Sequence, residues 1–371
     1  MTTGGKARRS PRPFKPRATK ARRRALRARL APVDLVGLLV TKRVNVRYLT
    51  GFSGSYGALL LLHDRTVFFT DRRYERQAAE VDGVELVLAP GDLVAGVIGV
   101  VGSDGDGLGF EPGGLTWGSG QRLRTLLPGR AVVPAPELVE ELREVKDEDE
   151  LAAMREAARI AGEALTELLG ALRAGVTERE AARELEIGVR RRGADGLAFP
   201  PVVAFGEHGA EPHHRPGERP LRRGDLVVLD LGAVVEGYRS DMTRTVVLGR
   251  ASPRQRELHE LVRRAQEAGL AALRPGVGCA EVDQACREVV AAAGSGDAFS
   301  HPAGHGVGLE IHEAPWVRPG ASGRIAAGTP VTVEPGVYLP GFGGVRIEDL
   351  AVVRPDGHEL LTTAPKELLE L

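Results

Sequence analysis

The first part of the chain alternates short apolar runs with stretches of helical periodicity. ALLLLHD, from Ala58, and TVFFTD, from Thr66, are runs of the kind that form buried strands. DRRYERQAAEV begins with Asp71, a residue that commonly caps a helix, and predicts a helix. The alternation continues from Val33 to about Val133 and predicts a compact α/β domain.

A proline-rich joint separates this region from a longer helical one. The joint, AVVPAPELVEELREVKD, ends at Asp147, and Glu150 follows three residues later, the spacing of a capping box. Apolar residues then recur at helical spacing through DEDELAAMREAARIAGEALTELLGAL. We therefore place a domain boundary near Val145, with one domain over residues 28–145 and another over 146–371.

The second domain contains two segments that resemble each other. ALRAGVTEREAARELEIGVRRRGADGLAF begins at Ala171, and ALRPGVGCAEVDQACREVVAAAGSGDAF begins at Ala272. Further along, GDLVVLD from Gly224 corresponds to GTPVTVE from Gly328, since both are apolar runs that end in an acid. The shared order predicts a pseudo-twofold domain whose halves each place helices before a hairpin. The fold class of the whole chain is then α/β (α+β).

Each half carries two carboxylates on a hairpin of otherwise apolar strands. In DLVVLDLGAVVEGYRSDMTRTVVL, a turn near 235–236 would put Asp230 and Asp241 at the same level of adjacent strands, with Cβ atoms about 5 Å apart. In PVTVEPGVYLPGFGGVRIEDLAVV, a glycine-rich turn lies midway between Glu334 and Glu348. Buried acids that face each other repel unless a proton or a cation intervenes, so the four carboxylates indicate a site. The alternative is that each acid is a solvated strand end or a salt-bridge partner.

Histidines supply a nitrogen ligand for such a site. The chain has nine, and His301, His305 and His312 lie in the glycine-rich stretch HPAGHGVGLEIHEAP. Glycines allow close backbone approach, and imidazoles bind metals or move protons near neutral pH. Four carboxylates with the imidazole of His305 suit two divalent ions of the manganese, iron, cobalt or zinc kind.

Composition is that of an ordinary globular protein, except in the first residues. Apolar residues make up 42% of the chain and charged residues 27%, and the formal net charge is zero. Residues 1–30 hold twelve Lys and Arg and no acid, which leaves 38 basic and 50 acidic residues in the remainder. We interpret residues 1–27 as a basic, disordered N-terminal arm. Nucleic-acid binding is the alternative, and the acidic remainder argues against it.

The sequence also argues against a secreted or membrane protein. The apolar patch LVGLLV at 35–40 is too short to span a bilayer, and no cleavable signal pattern follows the basic segment. Cys279 and Cys286 are too few for a secreted disulfide framework and are expected to be reduced core residues. We therefore expect a cytoplasmic protein with no membrane partner.

Several motifs together resemble those of a known family. DLGAVVEGYRSDMTRT, HPAGHGVGLEIHEAP, EPGVY and GGVRIEDL are similar to the metal-binding motifs of the pita-bread metallopeptidases, in their aminopeptidase P and prolidase branch. NVRYLTGFSGSYGALLLL and TDRRYERQA resemble the creatinase-type N-terminal domain of that branch. The resemblance extends from residue 28 to the end. It implies a creatinase-like α/β domain followed by a pita-bread domain.

The resemblance also implies a role for each acid and histidine. The implied ligands of two metal ions, manganese first among the candidates, are Asp230, Asp241, His305, Glu334 and Glu348. Asp241 and Glu348 would bind both ions. Catalytic or substrate-contacting roles are implied for His213, His301, His312 and Glu334. Arg346 falls on the same strand face as Glu348 and is expected to orient a ligand carboxylate.

The implied activity is hydrolysis of the peptide bond before a proline in the second position of a short peptide, by a homodimer. A metal-dependent hydrolase of non-peptide C–N bonds is one alternative, and a catalytically inactive peptide-binding module is another, although the ligand positions are intact. Dipeptides and longer peptides both stay open as substrates. Two departures from the family pattern bear on substrate choice: Pro302, after the first histidine, and the pair Glu207 and His208. His208 and His214 are extra histidines, interpreted as surface or pocket-rim residues.

Overall fold

The apolar runs predicted as strands form the middle of a sheet. Ala58–Leu62 and Thr66–Thr70 are buried at every position. The computed structural model describes residues 16–32, 35–89, 91–102, 105–135 and 137–371. The chain divides into two units, Met1–Arg143 and Glu144–Leu371, and each combines helices with strands. The predicted α/β class is confirmed.

In the first unit the helices are α1 (Pro16–Leu30), α2 (Arg43–Thr50), α3 (Glu75–Ala78), α4 (Leu93–Val101), α5 (Trp117–Leu126) and α6 (Leu138–Glu144). The strands are β1 (Leu35–Val40), β2 (Ala58–Leu62), β3 (Thr66–Thr70), β4 (Glu85–Leu88), β5 (Gly107–Phe110) and β6 (Val132–Pro134). Within the described part of the chain they form one mixed sheet in the order β4-β3-β2-β1-β5-β6. The pairs β1-β2 and β2-β3 are antiparallel, and the other pairs are parallel.

The helix predicted from Asp71 is shorter than its sequence pattern. A 3-10 turn, Arg72–Tyr74, precedes α3. Asp71 caps this turn, because its carboxylate accepts the N–H of Arg73 at 2.9 Å. The capping residue was therefore identified correctly, but the regular helix after it is confined to α3.

The basic N-terminal segment is helical where the structure describes it. The interpretation of residues 1–27 as a disordered arm is wrong for residues 16–27, which belong to α1. Leu26 and Leu30 are fully buried, so this helix packs on the first unit through an apolar face. Residues 1–15 of the proposed arm lie outside the described residues.

Buried arginines of α1 bind backbone carbonyls. Arg22 donates to the carbonyl oxygen of Tyr48 at 3.2 Å, and Arg23 donates to that of Leu49 at 2.7 Å. Both carbonyls lie in the last turn of α2, where backbone acceptors lack helical partners and the helix dipole favours positive charge. A second bond joins Arg23 to the carbonyl of Asp82 at 2.7 Å. Two of the positive charges that suggested an arm are thus used inside the fold.

We expect Arg23→Ala to lower the free energy of unfolding by about 2 kcal/mol, because it removes the charged donor from the buried carbonyl group of Leu49 and from the partly buried one of Asp82. Urea unfolding followed by circular dichroism measures the change. Arg24→Ala, at an exposed position of the same helix, should shift it by less than about 0.5 kcal/mol. Equal urea midpoints for the two variants would contradict this account of α1.

In the second unit the helices are α7 (Glu148–Ala171), α8 (Glu178–Arg191), α9 (Pro253–Ala272) and α10 (Cys279–Ala292), and 3-10 turns occupy Gly206–Ala210 and Gly296–Ala298. The first strands are β7 (Gly196–Leu197), β8 (Val202–Phe205), β9 (Leu226–Leu231), β10 (Ala233–Val235), β11 (Tyr238–Arg239) and β12 (Met242–Val247). They are followed by β13 (Gly304–Gly306), β14 (Glu313–Val317), β15 (Pro330–Val333), β16 (Gly336–Leu339), β17 (Gly343–Arg346), β18 (Asp349–Arg354) and β19 (Gly357–Leu360). The predicted capping box starts α7, since Asp147 and Glu150 each accept the backbone N–H of the other, at 2.9 and 2.8 Å.

The two halves of this unit repeat one order of elements, as predicted. α7 and α8 precede three strands that pair in the order β12-β9-β8. α9 and α10 precede β13, β15 and β18, which are neighbours in the sheet β14-β13-β15-β18-β19. In each half the central strand is antiparallel to both of its neighbours. The pairs β10-β11 and β16-β17 then extend the two hairpins toward their turns.

The register of the second hairpin is the predicted one. Pro330 pairs with Val352 in β15 and β18, and Gly336 pairs with Arg346 in β16 and β17. The same register between these pairs puts Glu334 opposite Glu348.

The register predicted for the first hairpin is wrong by two residues. Its turn occupies Glu236 and Gly237, which both have positive φ, 52° and 84°. Asp230 consequently pairs with Thr243 and not with Asp241. A shift of two residues keeps a side chain on its face of the strand, so both acids still point to the same side.

Each half packs its helices on its own strands. One apolar core joins α7 and α8 to β9 and its neighbours, and the other joins α9 and α10 to β15 and β18. Cys279 and Cys286 are buried in the second core as free thiols, as expected. None of the helices in the described ranges is long and apolar enough to cross a membrane.

Candidate metal centre

The predicted acids and histidines line one cavity of the second unit, with a volume of about 500 Å³. Its polar lining contains Asp230, Asp241, His305, Glu334, Glu348, Arg346, His213, His301 and His312. Its apolar lining contains Phe199, Pro200, Pro201, Ile311 and Trp316. Every residue that the sequence assigned to the site is therefore present in one place.

The hairpin topology explains why the four acids converge. Asp230 and Glu334 lie at the ends of the central strands, β9 and β15, whereas Asp241 and Glu348 immediately precede β12 and β18. The two halves meet at this point, because the N–H of Glu348 donates to the carbonyl oxygen of Thr243 at 3.1 Å. Each half thus contributes the end of one strand and the start of the next.

His305 directs one ring nitrogen toward the acids. Its Nδ1 lies 3.0 Å from the carbonyl oxygen of Gly306 and donates its proton there. Its Nε2 then carries a lone pair and lies 3.3 Å from Oε1 of Glu334 and 3.6 Å from Oδ2 of Asp241. Asp241, His305 and Glu348 offer ligand atoms within 4.8 Å of one another. An imidazole fixed through Nδ1, with Nε2 among carboxylates, is the arrangement of a metal ligand.

Glycines beside His305 let its strand approach both neighbours. A Cβ atom at Gly304 would lie 2.0 Å from the carbonyl oxygen of Thr332, and one at Gly306 would lie 2.2 Å from that of Ala314. Any side chain at either position would push β13 away from β15 or β14. The glycines are therefore required by packing around the histidine.

Three of the acids resist ionisation: Asp241, Glu334 and Glu348. Burial, followed by repulsion from neighbouring acids, raises the pKa values of Asp241 and Glu348 well above the ordinary range. Burial also raises the pKa of Glu334 to about 7, although Arg346 opposes the shift. Without a bound cation, the site therefore takes up protons at neutral pH.

The donor set fits divalent metal ions. Asp230 Oδ1 is buried and has no hydrogen-bond partner among the described residues, whereas its Oδ2 accepts a bond from Arg346. An oxygen acceptor left in this state is destabilising unless a cation or donor occupies the space beside it. Four carboxylates and one imidazole are ligands for manganese, iron, cobalt or zinc ions.

Arg346 connects the acids to the rest of the cavity wall. Its guanidinium donates to Asp230 Oδ2 at 2.7 Å, to the hydroxyl of Thr243 at 3.0 Å and to the hydroxyl of Tyr338 at 2.8 Å. Thr243 in turn donates to Glu348 Oε2 at 2.7 Å. Arg346 thus orients one carboxylate directly and a second one through the threonine.

His301 lies at the end of a directed chain of hydrogen bonds. Its Nδ1 donates to the carbonyl oxygen of Pro302 at 2.8 Å, and its Nε2 lies 2.8 Å from the hydroxyl of Tyr338. Because that hydroxyl already accepts from Arg346, its own proton points to Nε2 of His301. Burial lowers the pKa of His301 to about 4, so the ring is neutral, as this chain of bonds requires.

The remaining histidines face the cavity from loops. The ring of His312 packs edge-on to His305, with centroids 4.4 Å apart, and burial lowers the pKa of His312. His213 follows Pro212, whose carbonyl oxygen accepts a bond from Arg346 at 3.2 Å. The cavity therefore has acids on its strands and imidazoles around them.

Three polar residues of the site were missed in the sequence: Thr243, Thr332 and Tyr338. Thr332 accepts the N–H of His305 at 3.0 Å, so it fixes the backbone of that ligand. A signal was available, because each residue lies two or four positions from a predicted ligand acid. Residues that are an even number of positions apart in a strand have their side chains on the same face.

Comparison with known proteins agrees with this geometry. Residues 152–355 match the family described as Metallopeptidase family M24. Residues 22–145 match the Creatinase/Prolidase N-terminal domain.

Similar proteins cover almost the whole chain. A Xaa-Pro dipeptidase of Pyrococcus horikoshii is 32% identical over 335 residues, which are 90% of this chain and 94% of that protein. The structure of a Xaa-Pro dipeptidase from Bacillus anthracis superposes with a TM-score of 0.92 at 37% identity, covering 95% of this chain and 100% of the other. The structure of an X-Pro aminopeptidase from Thermotoga maritima superposes with a TM-score of 0.86 at 32% identity, and the match covers 94% of this chain and 99% of the other. The chain belongs to metallopeptidase family M24 and carries the creatinase/prolidase type of N-terminal domain.

Proposed function

We propose that the protein is a Xaa-Pro peptidase, which hydrolyses the peptide bond between an N-terminal residue and a following proline. The observation that carries the proposal is the group of four carboxylates and His305 in one cavity of an M24 chain, with Asp241, Glu348 and His305 buried. The relatives described above support the substrate class, since they are named Xaa-Pro dipeptidases and an X-Pro aminopeptidase.

Two divalent metal ions are the proposed cofactor. Their proposed ligands are Asp230, Asp241, His305, Glu334 and Glu348. When bound, such ions polarise the scissile carbonyl group and lower the pKa of a water molecule. Manganese is the first candidate, and cobalt, zinc and iron suit the same donor set.

The protein's own groups hold the substrate and move the proton. His312 donates a hydrogen bond to the carbonyl oxygen of the scissile bond, where negative charge develops. Glu334 takes a proton from the attacking water molecule and passes it to the leaving amine. His213 and His301 also contact the peptide substrate.

The apolar wall fits a proline ring. Phe199, Pro200, Pro201, Ile311 and Trp316 offer carbon surface beside the acids. The bond before proline is a tertiary amide without an N–H group, so it can lie against this carbon surface without leaving a donor unsatisfied. An ordinary secondary amide would bury an unpaired N–H there.

We expect the manganese-loaded protein to hydrolyse Ala-Pro or Ala-Pro-Ala and to leave Ala-Ala intact. Release of the N-terminal alanine, measured by chromatography, gives the rates. Asp241→Ala should abolish cleavage and reduce the metal content measured by mass spectrometry, because it removes a proposed metal ligand. The ratio of dipeptide to tripeptide cleavage distinguishes a dipeptidase from an aminopeptidase. A metal-loaded protein that cleaves none of these peptides would refute the proposal and favour a non-peptide C–N hydrolase.

Arg346→Lys tests the contacts that orient the acids. A lysine keeps the charge but cannot reach Asp230, Thr243 and Tyr338 together, so we expect kcat/KM to fall by about 10- to 100-fold. Arg264→Lys, at an exposed position of α9, is the matched control and should retain wild-type activity. Full activity of Arg346→Lys would show that charge alone suffices.

Metal removal should make stability depend on pH in a defined direction. In the metal-free protein the buried acids keep protons that the unfolded chain releases at about pH 4. The free energy of unfolding therefore falls as the pH rises from there through about 7, the pKa of Glu334. Because metal ions replace these protons, manganese should raise Tm more at about pH 8 than at about pH 5. Thermal unfolding with EDTA and with manganese measures the rise in Tm at each pH. An equal rise in Tm at the two pH values would contradict the prediction.

A further inference from the structure

One fully buried carboxylate of this unit, that of Glu178, has no part in the metal centre. Glu178, the first residue of α8, has no exposed surface and is not among the residues that line the cavity. A charged group at such a position is stable only when hydrogen bonds satisfy it. Its partners therefore indicate its role.

Each carboxylate oxygen of Glu178 accepts two hydrogen bonds. Oε1 accepts the N–H of Phe205 at 3.0 Å and Nδ1–H of His208 at 2.8 Å. Oε2 accepts the N–H of Gly217 at 3.0 Å and Nε2–H of His214 at 2.9 Å. A carboxylate has about four lone-pair sites, so this one is saturated. The three side chains could also hold a metal ion, but an ion would have to displace both imidazole N–H groups.

All four donors belong to residues 205–219, which we call the His213 loop. The backbone of α8 holds the same loop, because the N–H of Arg179 donates to the carbonyl oxygen of Gly217 at 3.0 Å. The positive end of the helix dipole also favours the charge of Glu178. Burial alone would raise the pKa of Glu178, but its hydrogen bonds, led by that from His214, outweigh burial and lower it.

The other side of the loop meets the metal centre. The carbonyl oxygen of Pro212 accepts from Arg346, as described above. Gly209 packs so closely on β17 that a Cβ atom at Gly344 would lie 2.1 Å from its carbonyl oxygen. The loop is thus held by Glu178 on one side and by β17 on the other, and His213 faces the cavity between them.

We propose that Glu178 is a positioning residue that holds the His213 loop, through His208 and His214, in the conformation in which His213 contacts the substrate. The proposal rests on the proposed function, since it concerns the peptide that His213 contacts. Glu178 itself touches neither substrate nor metal. Its effect should therefore fall on substrate binding and not on the metal centre.

The charge on His214 decides how firmly the loop is held. Three titratable groups face its ring: Glu178 from α8, Glu211 from the loop at 2.8 Å from Nδ1, and His208, whose ring centroid is 4.4 Å away. Burial lowers the pKa of His214, but the bonds to Glu211 and Glu178 outweigh burial and raise it. The protonated ring donates to both acids. Above its pKa one of these bonds is lost, so the loop is held less firmly as the pH rises.

Glu178→Gln is the first test, with Glu184→Gln, an exposed acid of the same helix, as the matched control. The amide cannot accept four N–H groups, so KM for an Xaa-Pro peptide should rise about tenfold or more, with kcat and metal content close to wild type. Hydrogen exchange over residues 205–219 should accelerate. The control should match wild type in every measurement. A fall in kcat without a change in KM, or unchanged exchange, would overturn the proposal.

His214→Gln is the second test and remains informative if Glu178→Gln fails to fold. Glutamine keeps a donor for Glu178 but does not titrate, so KM should rise with pH less steeply than in the wild type. Identical pH profiles would overturn the proposal. The proposal would also be overturned if the wild type bound a third equivalent of zinc and His208→Asn did not bind it. A wild type that cleaves no peptide would refute the proposed function instead, while hydrogen exchange would still show whether Glu178 holds the loop.

Discussion

Repulsion among four carboxylates in one cavity is the constraint around which the catalytic unit is arranged. Like charges in a cavity of low polarity separate or take up protons unless rigid backbone and countercharge hold them. Strand ends supply the rigid backbone, and Arg346 supplies fixed positive charge. Behind the acids, Arg244 and Asp349 form a buried pair at 2.7 Å, and Arg244 also donates to the carbonyl oxygen of Glu348 at 2.5 Å. These bonds join β12 to β18, so the two halves cannot move apart to relieve the repulsion.

The pseudo-twofold explains both the number of acids and the single imidazole ligand. Val202 pairs with Asp230 in the first half, and in the second the N–H of Glu334 donates to the carbonyl oxygen of Ala303. Two residues further along these strands stand Ala204 and His305. The first half therefore places a buried methyl group where the second places the imidazole that we propose as a ligand. The loops that follow the two strands carry His213 and His312, so histidines that line the cavity from a loop occur in both halves.

The sequence predicted those features that depend on strand periodicity. Prediction failed where a turn sets the strand register or where a contact distant in sequence buries a charged side chain. Glu334 and Glu348 face each other as expected, because the turn between them is centred at the expected position. Asp230 and Asp241 do not, because the dipeptide Glu236-Gly237 adopts a turn one position later than assumed, and each position of the turn shifts the pairing by two. The arginines of α1 suggested a solvated arm because local composition does not reveal that the carbonyl groups they bind are at the end of α2. Glu178 was not singled out, since an acid at a helix start is ordinarily exposed and its burial depends on a loop that folds over it.

Arg346 couples the two kinds of residue that this architecture separates. The metal-facing acids sit on strands, whereas His213 and His301 reach the cavity from loops or strand edges. One guanidinium contacts Asp230, reaches Glu348 through Thr243, reaches His301 through Tyr338 and binds the carbonyl group beside His213. Only a planar group with several fixed donors can satisfy acceptors in these different directions at once. The bond to Pro212 is only one of these contacts, so a displacement of the His213 loop leaves Arg346 held by Asp230, Thr243 and Tyr338. A single side chain therefore contacts both the His213 loop and the carboxylates that we propose as metal ligands.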